Sequence, residues 1–93
     1  MTTDLRQLPK RRHDVQLRDH GDESVLVTPS GGTYALNPTA RAIWELCDGA
    51  TTIDELAEAI SQVFAIDEAT ASRDVAVTIE QLEAADLVTA ANQ

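Results

Sequence analysis

Few residues in this chain are of types that do chemistry, and their spacing decides what each can do. Cys47 is the single cysteine and the first candidate nucleophile. It falls on the apolar stripe of a predicted helix, and no histidine follows His20 to act as its base, so a core role is expected and no catalytic residue is assigned. His13 and His20 flank a predicted strand and have no second cysteine or further histidine at metal-ligand spacing, so no metal site is expected. Gly31 and Gly32 lack the following Lys and Ser or Thr of a phosphate loop and read as a turn. Asp54, Glu55 and Glu58 lie on the first turn and outer face of a predicted helix, where they favour its dipole and solubility. None of these patterns implies a cofactor.

The basic cluster Lys10, Arg11 and Arg12 has two readings: a site for phosphate or an acidic partner, or a solvated arm. Charge is unevenly placed. The net charge is −9, yet Arg6, Lys10, Arg11, Arg12 and Arg18 supply five of the seven basic residues. From residue 19 onward fourteen acidic residues face Arg41 and Arg73 alone, a balance of 2 − 14 = −12. Such a surface repels nucleic-acid phosphates, which weakens the reading of a winged-helix DNA-binding regulator.

The elements that position these residues follow from periodicity. Residues 1–12 lack it and are expected to form a flexible basic arm ahead of a domain at 13–88, with a flexible tail at 89–93. Val15 and Leu17 alternate with polar neighbours as in a half-buried strand, and His20, Gly21 and Asp22 turn it. Val25 to Val27 are continuously apolar and suit a central strand. Pro29 to Gly32 make a second turn before a short strand, Thr33 to Leu36.

Three helices follow. Asn37 and Pro38 begin the first, whose apolar residues Ala40, Ile43, Trp44 and Cys47 share a face, with Gly49 expected as its left-handed stop. Thr52 and Glu55 form a capping box for the second, which carries Ile53, Leu56, Ala57, Ile60, Val63 and Phe64. Asp67 caps the third, with Ala71, Val75, Ile79 and Leu82 on its stripe and Leu87 and Val88 beyond as an extended segment. The fold class predicted is α+β: an N-terminal three-stranded antiparallel sheet, then a three-helix bundle.

The size suits one domain with a mostly aliphatic core, since Trp44, Tyr34 and Phe64 are the only aromatic residues. No apolar run is long enough to span a membrane, no secretory signal is read at the N-terminus, and one cysteine makes no internal disulfide, so a cytoplasmic location is expected.

An absence of charge is the most informative local feature. Thr33, Tyr34, Ala35 and Leu36 contain no Lys, Glu or Pro of the kind that protects an exposed edge strand, whereas Asp14, Arg18 and Asp19 guard the first strand. Two readings stay open for this rim: it is covered by the third helix, or it receives an extended peptide.

Gly32 to Asn37, Ala42 to Gly49, and Asp74-Val75 followed by Ile79, Leu82 and Leu87-Val88 together resemble the PqqD-like family. These are the peptide-recognition domains (RiPP recognition elements) of ribosomally made, post-translationally modified peptide pathways. The resemblance spans about residues 13 to 88. It implies a winged-helix-like fold in which the third strand and third helix form a groove for the leader segment of a precursor peptide, which is then presented to a modifying enzyme. That enzyme would be a radical SAM protein, or a leader peptidase and cyclase if the chain is of the lasso-peptide type. On this resemblance the peptide-binding residues are Thr33, Tyr34, Ala35, Leu36, Arg73, Asp74, Thr78 and Gln81, with Tyr34 and Leu36 shaping apolar pockets and Arg73 and Asp74 selecting charge. Thr78 and Asp86 depart from the pattern: an aromatic or large aliphatic residue is common at the first position and Gly at the second. The rivals are the DNA-binding regulator and a small enzyme using Cys47.

Overall fold

The computed structural model describes residues 7–21 and 23–91. Its elements are β1 (Leu8–Arg11), β2 (Gln16–His20), β3 (Glu23–Val27), β4 (Thr33–Leu36), α1 (Pro38–Leu46), α2 (Ile53–Phe64), α3 (Glu68–Ala84) and β5 (Val88–Ala91). The central sheet is an antiparallel meander, β2-β3-β4, as the turn chemistry predicts. Gly21 (φ 66°) turns the first hairpin; Asp22, expected in that turn, lies outside the described residues. In the second hairpin the Thr28 N–H donates to the Gly32 carbonyl at 2.9 Å, with Gly31 at φ 91°.

Register fixes which side chains are buried. Leu17, Leu26 and Tyr34 stand in one cross-strand row, and Asp19, Ser24 and Leu36 in another. Leu26, Leu36 and Ser24 on this face are buried, whereas Gln16, Arg18, Thr33 and Ala35 on the other face are exposed. Period-2 alternation thus turns one sheet face onto the helices. There it meets Ile43 and Trp44 of α1, Ile53, Leu56 and Ile60 of α2, and Val75, Ile79 and Leu82 of α3. Each fully buried Leu, Ile or Val contributes about 1.5–3 kcal/mol of transfer free energy, enough to hold a small aliphatic core together.

The helix starts follow their sequence signals. The Asn37 side chain accepts the Ala40 N–H at 2.7 Å, Thr52 and Glu55 complete a capping box, and Asp67 accepts the Thr70 N–H at 3.1 Å. The ends differ from expectation. α1 stops at Leu46 with Cys47 as its cap, and Gly49 (φ 79°) lies two residues further on. Gly49 serves a close approach instead: a Cβ there would stand 3.1 Å from Lys10 Cδ. Ala65 and Asp86, neither a glycine, take the left-handed conformation after α2 and α3 (φ 54° and 63°).

The larger correction concerns the two chain ends. Leu8–Arg11, expected in a flexible arm, form β1, and residues 88–91, which overlap the expected tail, form β5; the two pair antiparallel from Leu8↔Ala91 to Arg11↔Val88. The other side of β1 is also engaged, because Arg11 N–H donates to the Cys47 carbonyl at 2.9 Å and Gly49 N–H to the Pro9 carbonyl at 3.0 Å. Leu8 and Pro9 are buried. The ordered domain therefore extends past both predicted boundaries, while residues 1–6, 92 and 93 of the expected arm and tail lie outside the described residues.

Candidate functional site

The rim of β4 is built by the hairpin that precedes it. Antiparallel pairing alternates residues that exchange hydrogen bonds with the neighbour and residues that turn both backbone groups outward. The Thr28–Gly32 bond sets the phase, so with the observed register Tyr34 and Leu36 bond inward to Leu26 and Ser24. Thr33 and Ala35 therefore direct their N–H and C=O groups away from β3. Among the described residues no strand other than β3 pairs with β4.

The packing of α3 leaves this rim accessible. α3 packs mainly on α2, α1 and β5, whereas β4 packs on β3 and α1. Where the end of β4 passes into α1, a depression of about 300 Å³ opens between the start of α1 and the middle of α3. Asn37, Thr39, Arg73, Asp74, Val77 and Thr78 line it. The structure thus brings Arg73, Asp74 and Thr78 together beside Asn37, the residue that follows the rim. Thr33 and Ala35 are exposed along the rim, and Tyr34 is half-buried against the core.

Two of the sequence-derived residues lie elsewhere. Leu36 is 3% exposed and belongs to the core, so it shapes the wall from behind and offers no open pocket. Gln81 is exposed one turn further along α3 and does not line the depression. Val77 was missed. It is 48% exposed at the lip of the depression, and its signal was an apolar side chain two places off the buried stripe. Asn37 was read only as the helix start, and Thr39 was not singled out.

Electrostatics distinguishes Arg73 from the other late cation. Arg41 donates to Asp19 at 2.6 Å and to Glu45 at 2.8 Å, and the Glu45 hydrogen bond, ahead of the Asp19 charge, holds its pKa above the usual value. Among the described residues neither Arg73 nor Asp74 enters an ion pair. Two charges of opposite sign therefore stand side by side at the depression, available to a ligand.

The remaining candidates for chemistry are placed otherwise. Cys47 is fully buried, its thiol donates to the Ile43 carbonyl at 3.1 Å, and burial pushes its pKa up to about 12. A thiol so desolvated is a poor nucleophile. His13 and His20 are exposed at opposite ends of the segment that carries β2. Among the described residues no group of three or more His, Cys, Asp or Glu is placed to hold a metal ion, and no helix is long and apolar enough to cross a membrane.

Comparison with known proteins agrees with this architecture. No curated protein matches the chain. Three similar solved structures cover most of it. TbiB1 in complex with the TbiA(beta) leader peptide is 24% identical (TM-score 0.73), over 90% of this chain and 99% of that one. The PqqD truncation of Methylobacterium extorquens PqqCD, a stand-alone RiPP recognition element solved by NMR, is 25% identical (TM-score 0.73), over 87% of each chain. Lasso peptide synthetase B1 complexed with a leader peptide is 19% identical (TM-score 0.74), over 88% of this chain and 98% of that one. The family model for coenzyme PQQ synthesis protein D (PqqD) matches residues 23–88, from the central strand through all three helices, and the chain belongs to that family.

Proposed function

We propose that this chain is a non-catalytic recognition module that binds the leader segment of a ribosomally synthesised precursor peptide and presents it to a modifying enzyme. The leader adds to β4 as a further antiparallel strand, with α3 as the facing wall. One observation carries the reading: β4 is an edge without charge or proline whose outward N–H and C=O groups adjoin a depression flanked by Arg73, Asp74, Val77 and Thr78. Backbone hydrogen bonds supply affinity that tolerates different sequences, and the α3 side chains supply selectivity. Two of the similar structures hold a leader peptide, which supports extending that behaviour to this chain.

The module needs no bond chemistry of its own. By holding the leader it raises the local concentration of the peptide at the enzyme, a radical SAM protein or, in a lasso-type pathway, a leader peptidase and cyclase. The working compartment is then the cytoplasm, where precursor peptides are made. The test is titration of the ¹⁵N-labelled protein with a synthetic leader from the precursor gene nearest its own. Amide signals of residues 33–37 and of α3 from Arg73 to Gln81 are expected to move; a bound leader that left both segments unmoved would overturn the proposal.

A further inference from the structure

The Lys10-Arg11-Arg12 cluster plays no part in the β4 rim, and β1 fixes it in place. With His13, Trp44 and Asp48 it lines a second depression of about 280 Å³ at the C-terminal end of α1. Its members have unequal freedom. Arg12 is committed to Asp14 (3.2 Å) and Asp86 (2.8 Å), joining β1 to the turn after α3. Arg11 gives one nitrogen to the Glu45 carbonyl at the end of α1 and lies 5.6 Å from the centre of the Trp44 ring. A guanidinium has five N–H donors, so this use leaves others available. Lys10 runs its alkyl stem along Gly49, and among the described residues its ammonium has no ion pair. Asp48 is the acid at the rim, and its carboxylate accepts the Ala50 N–H at 2.9 Å and the Thr51 hydroxyl at 3.2 Å.

An independent observation comes from the tryptophan. Trp44 is 6% exposed, and its indole Nε1 is the one buried side-chain N or O without a hydrogen-bond partner among the described residues. Buried donors are nearly always satisfied. This orphan lies in a side chain that also lines the cationic depression and is overlaid by Arg11.

We infer that this depression is a docking site for a carboxylate side chain on an acidic segment of a partner protein. Lys10 and Arg11 meet the carboxylate, Arg11 by its planar fork. Trp44 lines the same depression, so its unpartnered indole N–H is a further donor for the incoming carboxylate once side chains around the depression adjust. The charge distribution selects the occupant. A polyphosphate chain running past the depression meets the −12 balance of the rest of the chain, whereas a short acidic segment engages only the local cations. The volume falls below that of most small-molecule cofactor sites.

The location permits simultaneous occupancy with the β4 rim. Within α1, Thr39 borders one depression and Trp44 the other, five residues apart, or about 7.5 Å along the helical rise and well round the helix from one another. A partner docked at the C-terminal end of α1 leaves the leader-binding edge open. This inference does not require that the β4 reading be correct.

The single tryptophan provides an isolated reporter. The ¹⁵N-labelled protein is titrated with a blocked hexaglutamate peptide, with inorganic phosphate and a single-stranded dodecamer of DNA as separate probes. Hexaglutamate is expected to shift the Trp44 indole N–H and the amides of residues 10–13, and Lys10→Glu or Arg11→Gln to weaken binding about tenfold or more, with Lys10→Arg close to wild type. Lys10 is exposed, so Lys10→Glu is read in a folded protein. An unmoved indole signal, unchanged affinity in Lys10→Glu, or phosphate or DNA binding at least as tightly as hexaglutamate would each overturn the inference.

Discussion

Replacing Ala35 by proline tests the direction in which the β4 backbone points. The register turns the Ala35 N–H away from β3, so proline removes no bond of the existing sheet. Proline is tolerated on edge strands when its nitrogen faces solvent, and the preceding Tyr34 is already extended. The guest peptide fares differently. Thr33 and Ala35 together offer it two N–H donors and two carbonyl acceptors. Proline deletes one donor and places ring carbons where the guest carbonyl would approach, so one to two hydrogen bonds are lost. At about 0.5–1.5 kcal/mol net each, the loss is roughly 0.5–3 kcal/mol, or about 2- to 150-fold in Kd. Tyr34→Pro is the contrast, because Tyr34 bonds inward to Leu26 and its proline breaks the sheet. Fluorescence anisotropy with a labelled leader peptide measures affinity, and thermal unfolding followed by circular dichroism measures the fold. Ala35→Pro is expected to unfold near the wild-type temperature and bind weakly, and Tyr34→Pro to lose stability itself. If Ala35→Pro stayed folded and bound the leader with wild-type affinity, strand addition at this rim would be wrong.

Other outcomes follow from single residues. Ala65 takes φ 54° after α2 with no side-chain bond to favour it, so Ala65→Gly should relieve about 1 kcal/mol of left-handed strain and raise the midpoint of thermal unfolding by several degrees; a lower midpoint would refute this. Asp86→Gly relieves similar strain but also removes the Arg12 ion pair, so its benefit should be larger in 1 M salt than in dilute buffer, as paired melts would show. Cys47, with its pKa pushed to about 12, should resist iodoacetamide at pH 8 until the protein is unfolded by guanidinium, which mass spectrometry can follow. The Thr70 hydroxyl, followed by the Thr70 N–H, lowers the Asp67 pKa. A lowered carboxylate pKa contributes stability that is present above the unfolded value of about 4 and lost as pH falls through the folded value. Asp67→Asn keeps a capping acceptor, so its urea-unfolding stability should fall less steeply than that of wild type below pH 4.

The sequence revealed those features that are determined locally. Asn37, Thr52 and Asp67 are short-range caps, each closed within three residues, and the apolar stripes of α1, α2 and α3 repeat within single helices, except that Val63, counted on the α2 stripe, is 70% exposed. The β4 rim was legible by the same reasoning, since its lack of charge is a property of four consecutive residues. β1 and β5 were not. Their pairing joins Leu8 to Ala91, and β1 carries only Leu8 and Pro9 as buried apolar residues before three cations whose charge masks any alternation. Leu36 was misplaced because alternation shows that Tyr34 and Leu36 share a face but not that the helices seal it at Leu36.

The same long-range pairing explains why the basic cluster looked like a solvated arm. Lys and Arg on an unstructured segment would keep their rotamer freedom, and ordering them costs up to about 2 kcal/mol of side-chain entropy each. Once β1 is held by β5 on one side and by Cys47 and Gly49 on the other, much of the backbone cost has already been met by the fold. Lys10 is braced by Gly49, and Arg11 by the Glu45 carbonyl and the Trp44 ring. Cations ordered before a partner arrives bind it with less further loss of entropy than cations on a free arm. A shortened chain beginning at Arg12 loses Lys10 and Arg11 together with β1, while the residues of β2–β4 and the three helices are all retained. It is expected to retain leader binding, with the same shifts at residues 33–37, while hexaglutamate no longer moves the Trp44 indole signal. Loss of both responses in a folded protein would show that the two ends of α1 are not independent.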